Sequence, residues 1–358
     1  MIHQRATIIY NPMSGRPARR AEDVRQMIRL LGERGITADS RATAQPEDAT
    51  RLARDAVAAG ADIVISYGGD GTLNEVIQGM IGSRTALAVW PGGTSNVVAR
   101  DLAVPFDIVG LADMIASGKT RRIALGLAKG GSGFGVQGSG FGVQRSLNET
   151  VSASPEPGTR NPEPGTLNPE PKTSNPEPGT TNSEPNIRNP EPGTDGRYFV
   201  MMAGIGLDAS IARGVNKTLK RRMGEFAYWL SGIRHLFMWR GEPFKIEVDG
   251  RDYESAFALI GNGKGYGGGM MITPGAKLEE PWFEVYVLPP LSNKFSYLRA
   301  LGGCMRGKPE VCGGLLVRGK HIKANSAHEP WVEADGEIIG PLPMTFDIVP
   351  DALSVIVP

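Results

Sequence analysis

Cysteine is almost absent: 358 residues hold two, Cys304 and Cys312. Two thiols cannot build a disulfide framework, which excludes a small stapled scaffold and fits a reducing compartment. Net charge is low as well, +1 from 39 basic and 38 acidic side chains. So near-neutral a balance argues against a broad nucleic-acid-binding surface. No window approaches 18 uninterrupted apolar residues, so no membrane-spanning helix is expected. Met1-Ile2-His3-Gln4-Arg5 runs straight into a strand-like segment without the apolar stretch of a signal peptide. These absences lead to the expectation of a soluble, cytoplasmic chain of one large or two ordinary domains.

What is present first is a strand–helix rhythm. Ala6-Thr7-Ile8-Ile9-Tyr10 reads as a strand ending at Asn11-Pro12-Met13-Ser14-Gly15. Val24, Met27, Ile28 and Leu31 mark one face of a following helix, with Gly32 and Gly35 near its end. A strand near residues 36–41 and a helix carrying Leu52, Ala53, Ala56 and Val57 repeat the unit. Strands at 62–67 and 86–90 follow, the second closed by Pro91-Gly92-Gly93-Thr94-Ser95-Asn96 before another helix. Alternating units of this length call for a parallel sheet with helices on both faces. The loops at 11–15, 68–72 and 92–96 would then gather at the carboxyl edge of the sheet, where ligands bind in open α/β folds.

The second of those loops is the most informative. Gly68-Gly69-Asp70-Gly71-Thr72 joins a strand rich in β-branched residues to a helix whose Leu73, Val76, Ile77 and Met80 share one apolar face. Such a turn aims backbone N–H groups at an anion. Asp70 among them suits a magnesium ion, held directly or through water, more than a bare phosphate. Ordinary glycine-rich turns also spell these letters, so the reading draws its weight from the other loops.

After residue 120 the texture changes. Segments 121–127 and 197–203 read as two strands around an unusual insertion. GSGFGVQ occurs in tandem at 131–137 and 138–144, and six seven-residue units built on Asn-Pro-Glu-Pro-Gly-Thr fill 154–195. Proline at two positions per unit excludes a coiled-coil heptad, and the scarcity of apolar side chains predicts an extended or disordered insert in a hairpin loop. Gly133, Gly135 and Gly138 spell G-x-G-x-x-G, but no strand–turn–helix frame surrounds them. Gly204-Ile205-Gly206-Leu207-Asp208-Ala209 then leads into a helical region. There Lys217, Lys220, Arg221 and Arg222 precede Phe226, Tyr228 and Trp229. A membrane-surface contact and a core-facing helix with a solvated basic end both fit.

The remainder alternates at period two. Strands are expected at 244–248, 253–260, 282–288, 315–323, 344–349 and 353–357, with an Asp249-Gly250 hairpin turn and a helix near 294–304. This predicts a mostly antiparallel β domain. The expected organisation is an α/β domain over 1–120 and a β-sandwich over 121–340, interrupted at 129–196. Residues 341–358 form C-terminal strands able to return to the first domain.

By these marks the chain resembles the diacylglycerol kinase catalytic-domain family, especially its bacterial soluble lipid kinases related to sphingosine and ceramide kinases. The marks are Asn11-Pro12-x-Ser14-Gly15, GGDGTLNEV, Gly93-Thr94-x-Asn96, Gly204-x-Gly206-x-Asp208-Ala209, Gly267-Gly268-Gly269 with Pro274-x-Ala276, and Asp335-Gly336-Glu337. The resemblance implies an N-terminal domain like that of NAD kinases and phosphofructokinases, a C-terminal β-sandwich, and a site between them. It implies ATP contacts at Asn11, Pro12, Ser14, Gly15, Thr43, Gly68, Gly69, Asp70, Gly71, Thr72, Leu73, Asn74 and Thr94. Asp70 would hold a catalytic Mg2+ through water, and a carboxylate of the Asp335/Glu337 turn would accept the lipid hydroxyl's proton.

Two positions depart from the family pattern. Val97 stands where many members carry an aspartate that joins the metal network. Leu278-Glu279-Glu280-Pro281 replaces a Leu-Asp-Asp-Gly pattern, so that Glu280 with the carbonyls of Lys277 and Trp282 would hold a structural Mg2+. The implied activity is ATP-dependent transfer of a γ-phosphoryl group to a hydroxyl of a diacylglycerol-like or sphingoid lipid. It would take place at the inner face of a membrane, with peripheral contact and no nucleic acid. Two alternatives stay open. One is a NAD kinase-like enzyme, which shares GGDGT, although the later Gly-Ser-Thr element is missing. The other is a non-catalytic nucleotide- or lipid-binding protein, which Val97 keeps in view.

Overall fold

The computed structural model describes residues 4–14, 17–130, 196–206, 241–266, 271–308, 310, 313–328 and 330–358. Several expectations lie outside them: Gly15, the tandem and seven-residue repeats, Asp208 with Ala209, the basic and aromatic stretch at 217–239, and the glycines at 267–269.

The first part follows the strand–helix rhythm. Strands β1 (Gln4–Tyr10), β2 (Ile36–Ala42), β3 (Ile63–Gly68) and β4 (Ala86–Pro91) alternate with helices α1 (Pro17–Glu33), α2 (Asp48–Ala58) and α3 (Asp70–Met80). The four strands pair in parallel in the order β2-β1-β3-β4. All six residues of β3 are buried, as a strand covered on both faces requires. Two short helices follow β4, namely α4 (Val97–Asp101) and α5 (Ile108–Ser117). Asp107 starts α5 by accepting the Gly110 N–H at 2.7 Å, and Gly118, at φ 63°, ends it.

The second part is built from antiparallel strands in two sheets. β5 (Thr120–Gly130) and β6 (Gly196–Phe199) form the expected hairpin, with Lys129 opposite Gly196 at its open end. The 197–203 segment, expected as one strand, is two: β6 in the larger sheet and β7 (Met202–Ile205) in the smaller. The same happens twice more. The 253–260 segment divides into β9 (Arg251–Ser255) and β10 (Phe257–Gly261). The 315–323 segment divides into β12 (Leu315–Gly319) and β13 (His321–Asn325). At each corner the chain leaves one sheet for the other, and side chains keep alternating through it, so period two carries no sign of the break.

The smaller sheet has six strands in the order β12-β11-β10-β7-β14-β15, with β11 (Phe283–Leu288), β14 (Trp331–Ala334) and β15 (Glu337–Pro341) completing it. Between them the chain forms α6 (Lys294–Met305). The larger sheet continues from β4 through β16 (Met344–Ile356) to β13, β8 (Phe244–Val248) and β9, with β5 also on β16. Segments 344–349 and 353–357, expected as two strands, are this single 13-residue strand with an irregularity between Val349 and Leu353. Its first half runs antiparallel to β13, and Val355 pairs in parallel with Leu87 of β4.

The sandwich core lies between the sheets. Phe199 of β6 stacks on Phe283 of β11 at 5.7 Å and meets Phe346 of β16 edge-on. All three rings are fully buried, and each such side chain stabilises the fold by about 1.5–3 kcal/mol. Among the described residues no helix is long and apolar enough to cross a membrane.

Candidate active site

The loops after β1, β3 and β4 meet at the carboxyl edge of the parallel sheet. The Asn11 N–H donates to the Tyr67 carbonyl (3.3 Å) and the Gly92 N–H to the Gly68 carbonyl (2.8 Å). Thr43, just past β2, joins the same edge by donating its N–H to the Tyr10 carbonyl at 2.9 Å. Within the first loop, the Asn11 side-chain oxygen accepts the Met13 N–H at 2.9 Å, an Asx turn that folds Pro12 and Ser14 back over the strand ends. Glycine is required where the second and third loops cross. A Cβ on Gly93 would stand 2.5 Å from the Gly69 Cα, so a side chain would force the loops apart. Gly71 and Thr94 are exposed on this edge, whereas Leu73 is buried and contributes by packing α3 onto the sheet.

Asp70 is the first residue of α3, with Gly69 extended ahead of it. Its Oδ1 accepts the Val97 N–H at 2.8 Å, so the carboxylate also caps the start of α4. Burial raises its pKa above the usual 3.8, and the N–H groups of Val97, Val98 and Asn96 oppose that rise. Where a carboxylate could have stood, Val97 presents its backbone N–H to Asp70 instead.

The other half of the site is the β14–β15 hairpin. Asp335 and Gly336 both have positive φ, 48° and 84°, the pairing that a tight two-residue turn matching strand twist demands. The turn delivers the Asp335 carboxylate into the corner between β6 and β7. There Oδ1 accepts the N–H groups of Met201 (2.9 Å) and Met202 (3.1 Å), and Oδ2 accepts the Val200 N–H (2.7 Å) and the Asn74 amide (2.9 Å). Four donors occupy the roughly four lone-pair positions of one carboxylate. Burial lifts the Asp335 pKa, and these same donors pull against the rise. The corner is satisfied on its other side too: Asn262 donates its side-chain amide to the Val200 carbonyl (2.7 Å) and its backbone N–H to that of Met201 (2.8 Å).

Glu337, two residues on, is placed differently. Its side chain keeps 40% of its surface exposed, and its carboxylate pairs with the Arg197 guanidinium. Arg197 also donates to the Asn74 side-chain oxygen at 3.1 Å. Asn74 therefore joins α3 to both carboxylates, giving its amide N–H to Asp335 and its oxygen to the residue that holds Glu337. Gln78, one turn further along α3, fixes the height of β6 by donating to the Tyr198 carbonyl (2.9 Å) and accepting its N–H (3.2 Å). Of the two carboxylates expected to act, Asp335 has its acceptor positions taken by four donors, whereas Glu337 keeps much of its side chain open.

The residues of the expected structural metal site make other contacts. The Glu280 carboxylate lies 3.7 Å from the Lys277 ammonium, and the Lys277 carbonyl already accepts the Glu280 N–H at 3.0 Å. Trp282 faces the Arg318 guanidinium, 5.3 Å from its ring centre. Among the described residues no cluster of three or more His, Cys, Asp or Glu could hold a metal.

Two arginines went unnoticed in the sequence. Arg197 carried no signal, being one basic residue in a strand. Arg20 did carry one. It sits four residues before Val24, in line with Val24, Met27 and Leu31, where a charge interrupts the apolar face of α1.

Comparison with known proteins adds to this geometry. Residues 5–128 match the family model described as diacylglycerol kinase catalytic domain, and residues 201–357 match the YegS C-terminal NAD kinase beta sandwich-like domain. The diacylglycerol kinase of Bacillus subtilis (strain 168) is 26% identical over 96% of this chain and 93% of its own length. That of Staphylococcus aureus (strain bovine RF122 / ET3-1) is 26% identical over 96% of this chain and 90% of its own. In fold, the chain is similar to the crystal structure of a diacylglycerol kinase from Bacillus anthracis str. Sterne, with a TM-score of 0.66 and 20% identity. That match covers 100% of this chain and 98% of that one.

Proposed function

Because the chain belongs to the diacylglycerol kinase catalytic-domain family, we propose that it is a lipid kinase moving the γ-phosphoryl group of ATP to a hydroxyl of a diacylglycerol-like or sphingoid lipid. The observation that carries this reading is the junction at Asn74. It links the helix after the GGDGT turn directly to the Asp335/Glu337 hairpin. Phosphoryl transfer asks the protein mainly for positioning and charge neutralisation. The loops at Asn11–Ser14, Gly68–Thr72 and Gly92–Asn96 supply clustered backbone N–H groups for a nucleotide's phosphates.

On the acceptor side, Glu337 takes the hydroxyl proton, because it has open surface. Asp335, with every acceptor position filled, fixes the hairpin that carries it. Arg197 orients the Glu337 carboxylate until a hydroxyl takes its place beside it. Asp70 suits a Mg2+ ion held through water: a single partly buried carboxylate at the phosphate edge matches an ion whose other ligands are phosphates and waters. When bound, such an ion supplies charge neutralisation at the transferring group.

The test is turnover with labelled ATP and a panel of diacylglycerols, ceramides and sphingoid bases in mixed micelles, resolved by chromatography. Phosphorylated lipid from the parent protein, lost in Glu337→Gln, supports the reading. Absence of product with every lipid, alongside measurable ATP binding, would leave a nucleotide-binding protein without lipid kinase activity. The lipid acceptor also calls for reversible contact with a bilayer. Lys217, Lys220, Arg221 and Arg222 are the candidates from sequence, each contributing about 1 kcal/mol at an anionic surface. Vesicle binding that survives charge reversal at Lys220, Arg221 and Arg222 would assign the contact elsewhere.

A further inference from the structure

Arg20 is a buried cation at the phosphate edge. It is 2% exposed, yet no carboxylate forms an ion pair with it among the described residues. Asp23, three residues on, accepts the Tyr67 hydroxyl at 2.6 Å. Arg20 lies over the Tyr67 ring, 3.9 Å from its centre, and Tyr67 in turn stacks on Trp90 at 3.6 Å. Its Nε donates to the Ser14 carbonyl (2.8 Å), and its Nη2 donates to the Ser14 hydroxyl (2.6 Å) and to the Gly92 carbonyl. Nη1 is buried with no hydrogen-bond partner among the described residues.

A guanidinium held out of water is costly unless something answers its charge. The bonds it makes run to the first and third loops of the phosphate edge, which no direct backbone hydrogen bond joins among the described residues. Gly92 records the closeness of this approach: a Cβ there would stand 2.3 Å from Nη1 and 2.7 Å from Nη2.

We propose that Arg20 is a positioning residue of the nucleotide site, one that clamps the Asn11–Ser14 loop to Gly92 and supplies the buried positive charge that a nucleotide's phosphates balance. This rests on the nucleotide-binding part of the proposed function and adds to it a residue that need not touch the ligand. The role divides cleanly from the acceptor chemistry, because Glu337, Arg197 and Asn74 share no hydrogen bond with Arg20.

The experiment is a double-mutant cycle on the full chain, using Arg20→Met, Gly92→Ala and their combination, with Arg20→Lys as the conservative variant. Binding of ATP and of inorganic tripolyphosphate is measured by calorimetry, with lipid KM and thermal midpoint alongside. Arg20→Met should weaken both anions by about 10- to 100-fold, the range expected for lost charge-assisted hydrogen bonds. Lipid KM should stay near the parent value, and Arg20→Lys should restore part of the affinity. Gly92→Ala should mimic the loss in the parent background but add little to Arg20→Met, since the atoms its Cβ strikes are gone. Unchanged anion affinity in Arg20→Met overturns the proposal, as does full additivity of the two substitutions. So does a loss of ATP and lipid binding in equal proportion, because a merely structural role would produce it. If the parent binds tripolyphosphate in an Arg20-dependent way but not ATP, the clamp stands and the kinase reading falls. If it binds neither, both fall.

Discussion

Replacing Asp335 with asparagine changes one oxygen into an NH2 group and almost nothing in shape, yet it should act on folding before it acts on rate. Each carboxylate oxygen accepts two N–H donors, Met201 and Met202 on one side, Val200 and the Asn74 amide on the other. Whichever way the amide turns, its nitrogen faces two donors that have lost their acceptor. Each buried polar group left unpaired costs about 1–3 kcal/mol, so the substitution should destabilise by about 2–6 kcal/mol. Against a typical total of about 5–15 kcal/mol, that is a large fraction.

Urea denaturation followed by circular dichroism would read the loss as a lowered midpoint at unchanged slope. Hydrogen exchange should show the 200–202 amides opening first. Glu337→Gln is the control, an exposed neighbour that should leave the midpoint within about 0.5 kcal/mol. An Asp335→Asn variant with the parent's midpoint and a rate defect alone would refute the reasoning, because the carboxylate would then be acting as chemistry and not as a corner.

Other expectations follow from the same geometry. Glu337→Gln should lower kcat by about 10²–10⁴-fold with ATP affinity intact, whereas Arg197→Met should give a smaller loss that added guanidinium partly rescues. Asp70→Asn should raise the magnesium concentration needed for half-maximal activity, and excess metal should partly restore turnover. Burial, the larger cause, and the Asp23 hydrogen bond raise the Tyr67 pKa to about 12 from 10.0. Its contribution is therefore complete below pH 10 and lost as pH rises through about 12, a difference near 3 kcal/mol. Phenolate absorbance during an alkaline titration should show one late tyrosine that Tyr67→Phe removes. Joining Gly130 to Gly196 through a short turn in place of 131–195 should leave fold and activity intact. Loop closure should then stabilise by about 2 kcal/mol, and an insoluble product would count against this.

The strand–helix rhythm was legible because β1 to α3 follow the two simple periods, and the glycine loops sit where those periods change. The sandwich was legible as strands but not as sheets. A corner such as Val200–Met201 changes which sheet a residue joins without changing the alternation that marks it. β14 was missed because Trp331-Val332-Glu333-Ala334 is short and carries a buried glutamate, 4% exposed, that pattern assigns to solvent. At the site, the Asp-Gly-Glu turn could be placed through its family pattern. The donors that saturate Asp335 could not, since three are backbone groups more than 130 residues away. Sequence records side chains, and this carboxylate is held mostly by main chain. Val97 likewise reads as a lost carboxylate, while its backbone N–H is what Asp70 uses.

The position of β16 sets a timetable for the molecule's birth. Its Val355 is the residue that meets Leu87 on β4, so the inner edge of the parallel sheet is closed by a segment translated more than 250 residues later. At about 5–20 residues per second, roughly 10–50 s pass on the ribosome while β4 stands as an open strand edge, the kind that recruits neighbouring chains. Nascent chains arrested before residue 344 should therefore associate with one another or with chaperones. Release of such chains should follow synthesis of 344–356, whatever the state of the helices already made.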